Sequence, residues 1–130
     1  MPSAMPDVIP GQVLNFIDHA WEAASGGDFV DVVNPATAER IGRTPLSTAA
    51  DVARAAEAAA RALPGWRQTP ATERVQYLFK LKALLEEDLE GLARLITLEC
   101  GKTLEEARGE MRRAIENVEI ACGMPILMQG

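Results

Sequence analysis

The stretch ITLECGKTLEEARGE, Ile96 to Glu110, sets a cysteine beside Gly-Lys-Thr and places carboxylates on both sides. Residues of these types could cradle a phosphate, supply a nucleophilic thiol or exchange protons. A phosphate loop needs Gly, four residues, then Gly-Lys-Ser/Thr, with a strand in front. The position of the first glycine holds Ile96, and a helical pattern precedes the motif. A nucleophilic thiol needs a nearby base or a helix N-terminus to lower its pKa. Cys100 instead follows Glu99 at the end of a helical pattern, and both features favour the neutral thiol. The only histidine, His19, is far away in the sequence. Cys122 sits near the end of an apolar helix face and reads as a packed residue. LLEEDLEG carries four acids that read as a solvated helix surface, although paired carboxylates can do acid–base work. Arg112-Arg113 reads the same way, and no Gly-rich dinucleotide fingerprint occurs. The residues therefore predict no catalytic and no cofactor-binding site within this chain.

The totals narrow the class. The chain has 130 residues, the size of one domain, with 48% hydrophobic and 25% charged residues, both ordinary for a globular protein. Aromatics make up only 5%, so Leu, Ala, Val and Ile must build the core. A net charge of −6 argues against nucleic acid or an anionic membrane as partner, since phosphate binding needs clustered Lys and Arg. Two cysteines form neither a disulfide framework nor a zinc set, which needs about four ligands. Free thiols and an N-terminus lacking a basic-then-apolar pattern point to a cytoplasmic protein. No apolar run approaches the roughly 20 residues of a membrane span.

The elements that must carry these residues follow from the pattern. Residues 1–12 are rich in proline and read as an irregular arm. Residues 13–46 read as a β-hairpin and short strands. Val13–Ala23 and Asp28–Asn34 are expected to pair around Ser25-Gly26-Gly27, with a third strand near Glu39–Arg43. Residues 47–122 read as three helices. Thr48 and Asp51 signal the first start, Pro64-Gly65 its stop, and Trp66 a packing anchor. Thr69-Pro70 opens a second helix reaching about Glu99, and Gly101 ends it in the left-handed conformation. Thr103 and Glu106 form a capping box for the third. Residues 123–130 make an apolar tail that reads as truncated. The fold class is thus an α+β fragment, with strands first and helices after.

The segment from VVNPATAERIGRTPL to ITLECGKTLEEARGE resembles the N-terminal part of NAD(P)-dependent aldehyde dehydrogenases. The resemblance rests on Asn34-Pro35-Ala36-Thr37, Ile41-Gly42, Trp66, Arg74 and the stretch from Ile96 to Glu110, and runs from about Asn15 to the last residue. RAIENVEIACGMP is most similar to the methylmalonate-semialdehyde dehydrogenase branch. Cys100 departs from the polar residue usual in the family, as does Ala38 near the turn, where glycine is commoner in that loop. The resemblance implies the outer part of an α/β cofactor-binding domain. It also implies that the catalytic cysteine, the general base, the oxyanion asparagine and the cofactor lysine belong to later segments. One further implication is a monovalent cation held partly by the Val33 carbonyl and Glu99, an oxygen-only set that suits a hard cation. By this resemblance the parent enzyme uses NAD, with CoA as acyl acceptor. The chain alone is expected to bind neither and to be inactive. Its partner is then either the remainder of an aldehyde dehydrogenase chain or, as a self-standing module, a second copy joined through apolar helix faces.

Overall fold

A computed structural model describes residues 13–128. The arm expected over residues 1–12 lies outside the described residues, as do the last two residues of the tail. The chain divides into two compact units, Met1–Trp66 and Arg67–Gly130. The first takes in most of a helix as well as the strands.

In the first unit, β1 (Asn15–Ile17) and β2 (Ala20–Glu22) form an antiparallel hairpin, with Phe16 opposite Trp21. Asp18 and His19 occupy the turn with φ of 50° and 64°. Two left-handed residues are what a tight hairpin turn needs, because their twist matches that of the strands. β3 (Phe29–Val33) pairs antiparallel with β4 (Arg40–Pro45), Asp31 facing Arg43, and the register shifts between Val32 and Val33. The loop between them is closed by Asn34. Its Oδ1 accepts from the Ala36 N–H at 2.9 Å, and its carbonyl accepts from the Ala38 N–H at 2.8 Å.

The expected pairing across Ser25-Gly26-Gly27 is thus replaced by two hairpins in succession. Neither glycine has the positive φ that such a turn requires; Gly101 is the glycine that does among the described residues. Gly26 serves close approach instead, since a Cβ there would meet the Leu46 carbonyl oxygen at 2.8 Å. The third strand is found as expected, one or two residues displaced.

α1 (Ala49–Gln68) runs through Pro64-Gly65 rather than stopping there. Proline removes one backbone bond and crowds the preceding turn. Here strong helix formers on its N-terminal side, Ala58 to Leu63, offset that loss. Trp66 consequently lies within the helix, about half exposed.

The second unit contains α2 (Ala71–Glu87), α3 (Leu89–Cys100), α4 (Leu104–Cys122) and the short α5 (Met124–Leu127). Pro70, not Thr69, is the N-cap residue of α2. The expected single helix up to Glu99 is broken at Asp88, whose φ of −102° and ψ of 20° end α2 and start α3. Like charges at Glu86, Glu87, Asp88 and Glu90 oppose a continuous helix, and Gly91 weakens it further. The Asp88 carboxylate lies over Gly91, where a Cβ would meet its Oδ1 at 2.2 Å. That position, at the start of α3, suits an anion. The tail folds in part as α5, a single turn.

The core of this unit is small and dense. Ala93 on α3 and Ala107 on α4 are fully buried at 0% exposure, with Met111 beside them and Leu85, Leu89, Leu92, Ile96 and Leu104 packed around. Alanine on both facing helices lets their backbones approach closely, so there is no space for a longer side chain. Ala107→Leu is expected to destabilise the unit by about 1–3 kcal/mol through overpacking. Urea unfolding followed by helical circular dichroism checks this, the midpoint falling with an unchanged slope.

Candidate functional site

The stretch from Ile96 to Glu110 is a joint between two helices. Cys100 is the last residue of α3 and is exposed. Gly101 follows at φ 67° and ψ 13°, its N–H donating to the Thr97 carbonyl at 2.9 Å. Thr103 and Glu106 form the complete capping box. The Glu106 N–H donates to Thr103 Oγ1 at 3.3 Å, and the Thr103 N–H donates to Glu106 Oε2 at 3.0 Å. The Thr103 hydroxyl donates to the same carboxylate at 2.7 Å. These bonds, the hydroxyl first, lower the Glu106 pKa from its ordinary value.

The charges around the joint are engaged with one another. The Lys102 ammonium pairs with Glu110, which raises the lysine pKa and lowers that of the glutamate. Arg108 grips Glu90 with two parallel bonds of 2.7 and 2.8 Å, tying the start of α3 to α4, and also reaches Glu105 at 3.3 Å. This fork geometry is the strong form of a guanidinium–carboxylate contact. It lowers the pKa of Glu90 and raises that of Arg108. Paired with Glu110 of the following helix, Lys102 presents no free cation to a phosphate. Glu86 likewise pairs with Lys82 at 2.8 Å, so two acids of the LLEEDLEG run are held in ion pairs.

The remaining residues with chemical potential are dispersed. His19 sits in the β1–β2 turn of the first unit, whereas Cys100 and Cys122 end α3 and α4 in the second. Val33 ends β3 in the first unit, and Glu99 lies in the last turn of α3 in the second. Among the described residues no group of three or more His, Cys, Asp or Glu could hold a metal ion.

The strongest electrostatic site was read from the sequence only as a helix-capping acid. Asp51, in the first turn of α1, is 2% exposed. Its Oδ1 accepts from the Ser25 hydroxyl at 2.6 Å and from Arg54 at 2.8 Å. Its Oδ2 accepts from the Thr48 N–H at 2.8 Å and the Thr48 hydroxyl at 3.0 Å, and the Ser25 N–H is 3.2 Å from both oxygens. Arg54 also holds Glu22 at 2.8 Å. The Ser25 hydroxyl, then the Thr48 backbone, hold the Asp51 carboxyl far below the usual carboxylate range. The Thr48/Asp51 pair is legible as a capping signal; the contribution of Ser25, from a loop 26 residues earlier, has no local signature.

A depressed carboxyl pKa stabilises the fold above the ordinary value of 3.8, and that stabilisation is lost as pH falls from there toward the folded-state value. Asp51→Asn should therefore lower the melting temperature of the first unit near pH 7. The gap from the unsubstituted protein should narrow as pH falls below about 4. Thermal melts of both proteins across that range provide the check, and a gap that widened on acidification would contradict it.

Comparison with known proteins places this scaffold. The model of the aldehyde dehydrogenase family matches residues 21–130. Malonate-semialdehyde dehydrogenase 1 of Shouchella clausii is 51% identical over 119 residues, which is 92% of this chain and 24% of that protein. Among solved structures, a protein from Sinorhizobium meliloti provisionally assigned as a methylmalonate-semialdehyde dehydrogenase, complexed with NAD, superposes with a TM-score of 0.85. It is 34% identical, and 92% of this chain covers 24% of it. A mutant of aldehyde dehydrogenase C from Pseudomonas syringae, complexed with NAD+ and octanal, superposes at 0.86 with 34% identity, 97% of this chain covering 26% of it. The chain spans about a quarter of the length of the relatives it matches, 24% in the first of them. The match over residues 21–130 shows that the chain belongs to the aldehyde dehydrogenase family.

Proposed function

We propose that this chain is the N-terminal portion of an NAD-dependent semialdehyde dehydrogenase of the malonate or methylmalonate type, with CoA as acyl acceptor, and that it supplies framework rather than chemistry. The observation that carries this reading is the 51% identity to a malonate-semialdehyde dehydrogenase over 92% of the chain but only 24% of that enzyme. The engaged state of Lys102, Glu90, Glu106 and Arg108 supports it, because these side chains brace helices and leave no nucleophile–base pair around the joint. The setting is cytoplasmic, and neither nucleic acid nor membrane is a partner. No helix among the described residues is long and apolar enough to cross a membrane.

The chain incubated with NAD, CoA and malonate or methylmalonate semialdehyde should give no increase in NADH absorbance. It should also give no NAD binding by calorimetry. Turnover by the chain itself would overturn the assignment of the chemistry to other segments.

A second reading, a self-associating module without catalysis, is favoured by exposed apolar side chains at the end of the second unit, Ile120 at 67% and Ile126 at 75%. Light scattering separates the two. The framework reading expects a monomer or ill-defined aggregate, whereas a discrete dimer with a cooperative melt supports the module.

A further inference from the structure

The β1–β2 hairpin is attached to the rest of its unit in an unusual way. None of its residues is buried; Ile17 and Trp21 are half-buried, and the Phe16 and Trp21 rings pack on each other, 4.9 Å between centroids. Its attachment to α1 is through charge: Glu22 to Arg54 at 2.8 Å and Asp18 to Arg61 at 3.1 Å. Two open clefts lie along this contact. One of about 270 Å³ is lined by Phe16, Ile17, Val52 and Ala55, the other of about 420 Å³ by Ala20, Glu22, Arg54 and Arg61. Open space thus flanks the two ion pairs along this contact. Toward β4 and the loop after it, the links among the described residues include a backbone bond from the Val13 N–H to the Arg43 carbonyl at 3.0 Å and the Asn15–Ser47 side-chain bonds at 2.9 and 3.3 Å. By contrast, β3 and β4 are paired from Phe29 to Val33, with one register shift between Val32 and Val33.

We propose that the β1–β2 hairpin is an electrostatic strap, latched onto α1 by the Glu22–Arg54 and Asp18–Arg61 pairs and released as a unit when ionic strength rises. Release bares the half-covered Ala55 and Ala58 of α1. Exposed ion pairs are weak individually and are screened by salt, so a latch made of two of them is reversible under mild conditions. Local opening below the global stability is expected where few apolar contacts are lost. The inference concerns this chain as it stands and is independent of the dehydrogenase reading.

Hydrogen exchange at the Val13 amide reports the latch, because that amide is held only while the hairpin is docked. Its rate, normalised to an unstructured peptide under the same conditions, should be compared with the β3–β4 amides in the same sample. Raising NaCl from about 0.1 M to about 1 M shortens the screening length from about 10 Å to about 3 Å. That change should accelerate Val13 exchange about two- to thirtyfold, the range expected for losing two exposed pairs. The double variant Glu22→Gln, Arg61→Gln should show the faster rate already at low salt and respond little to added salt. It leaves the Arg54–Asp51 contact in place, so the rest of the unit stays intact. Val13 exchange that rises no more than that of the β3–β4 amides, in salt or in the variant, overturns the proposal.

Discussion

The first unit depends on one carboxylate. Asp51 is the sole buried residue there among the described residues, and every buried apolar side chain belongs to the second unit. A buried charge is tolerable only when its oxygens are fully hydrogen-bonded. Ser25, Thr48 and Arg54 provide those bonds from a loop, a helix cap and the helix itself. The same network therefore fixes where the loop after β2 lies and where α1 begins. Through Arg54 it extends to Glu22 on β2. A unit assembled around a polar hub is held by directional bonds, so its geometry is specific even though it hides little apolar surface.

The second unit follows the opposite logic. Two fully buried alanines let α3 and α4 lie close, and Met111 with the surrounding leucines fills the space between them. The Gly101 joint makes that arrangement possible by reversing the chain within three residues, and Arg108 then clamps the two helices through Glu90. Residues that resemble a catalytic motif are thus committed to holding two helices together.

Much of this was legible locally. The Thr103–Glu106 box, the left-handed Gly101 and the start of α1 at Thr48 are each encoded within four residues, and each stands where the pattern put it. The misreadings have a common origin. Gly26-Gly27 carries the composition of a turn, yet Gly26 serves close approach to Leu46, which is a tertiary matter. Pro64-Gly65 carried the composition of a stop, yet the helix continues. The apolar repeat from Val75 to Ile96 concealed the break at Asp88, because a hydrophobic stripe reports which face is inward and not whether the backbone is continuous.

What the sequence by itself determined is therefore the order and type of the elements, the caps that start and end helices, and the family to which the chain belongs. Those features depend on neighbours a few residues apart, or on many positions matched at once. Tertiary structure alone decided which strands pair, that Ser25 closes over Asp51 from 26 residues away, and that Arg108 reaches Glu90 across 18. The physical reason is the range of the forces. Capping and turn preferences act along the backbone, whereas the satisfaction of a buried charge and the close approach of two helices are set by residues that the chain brings together only on folding.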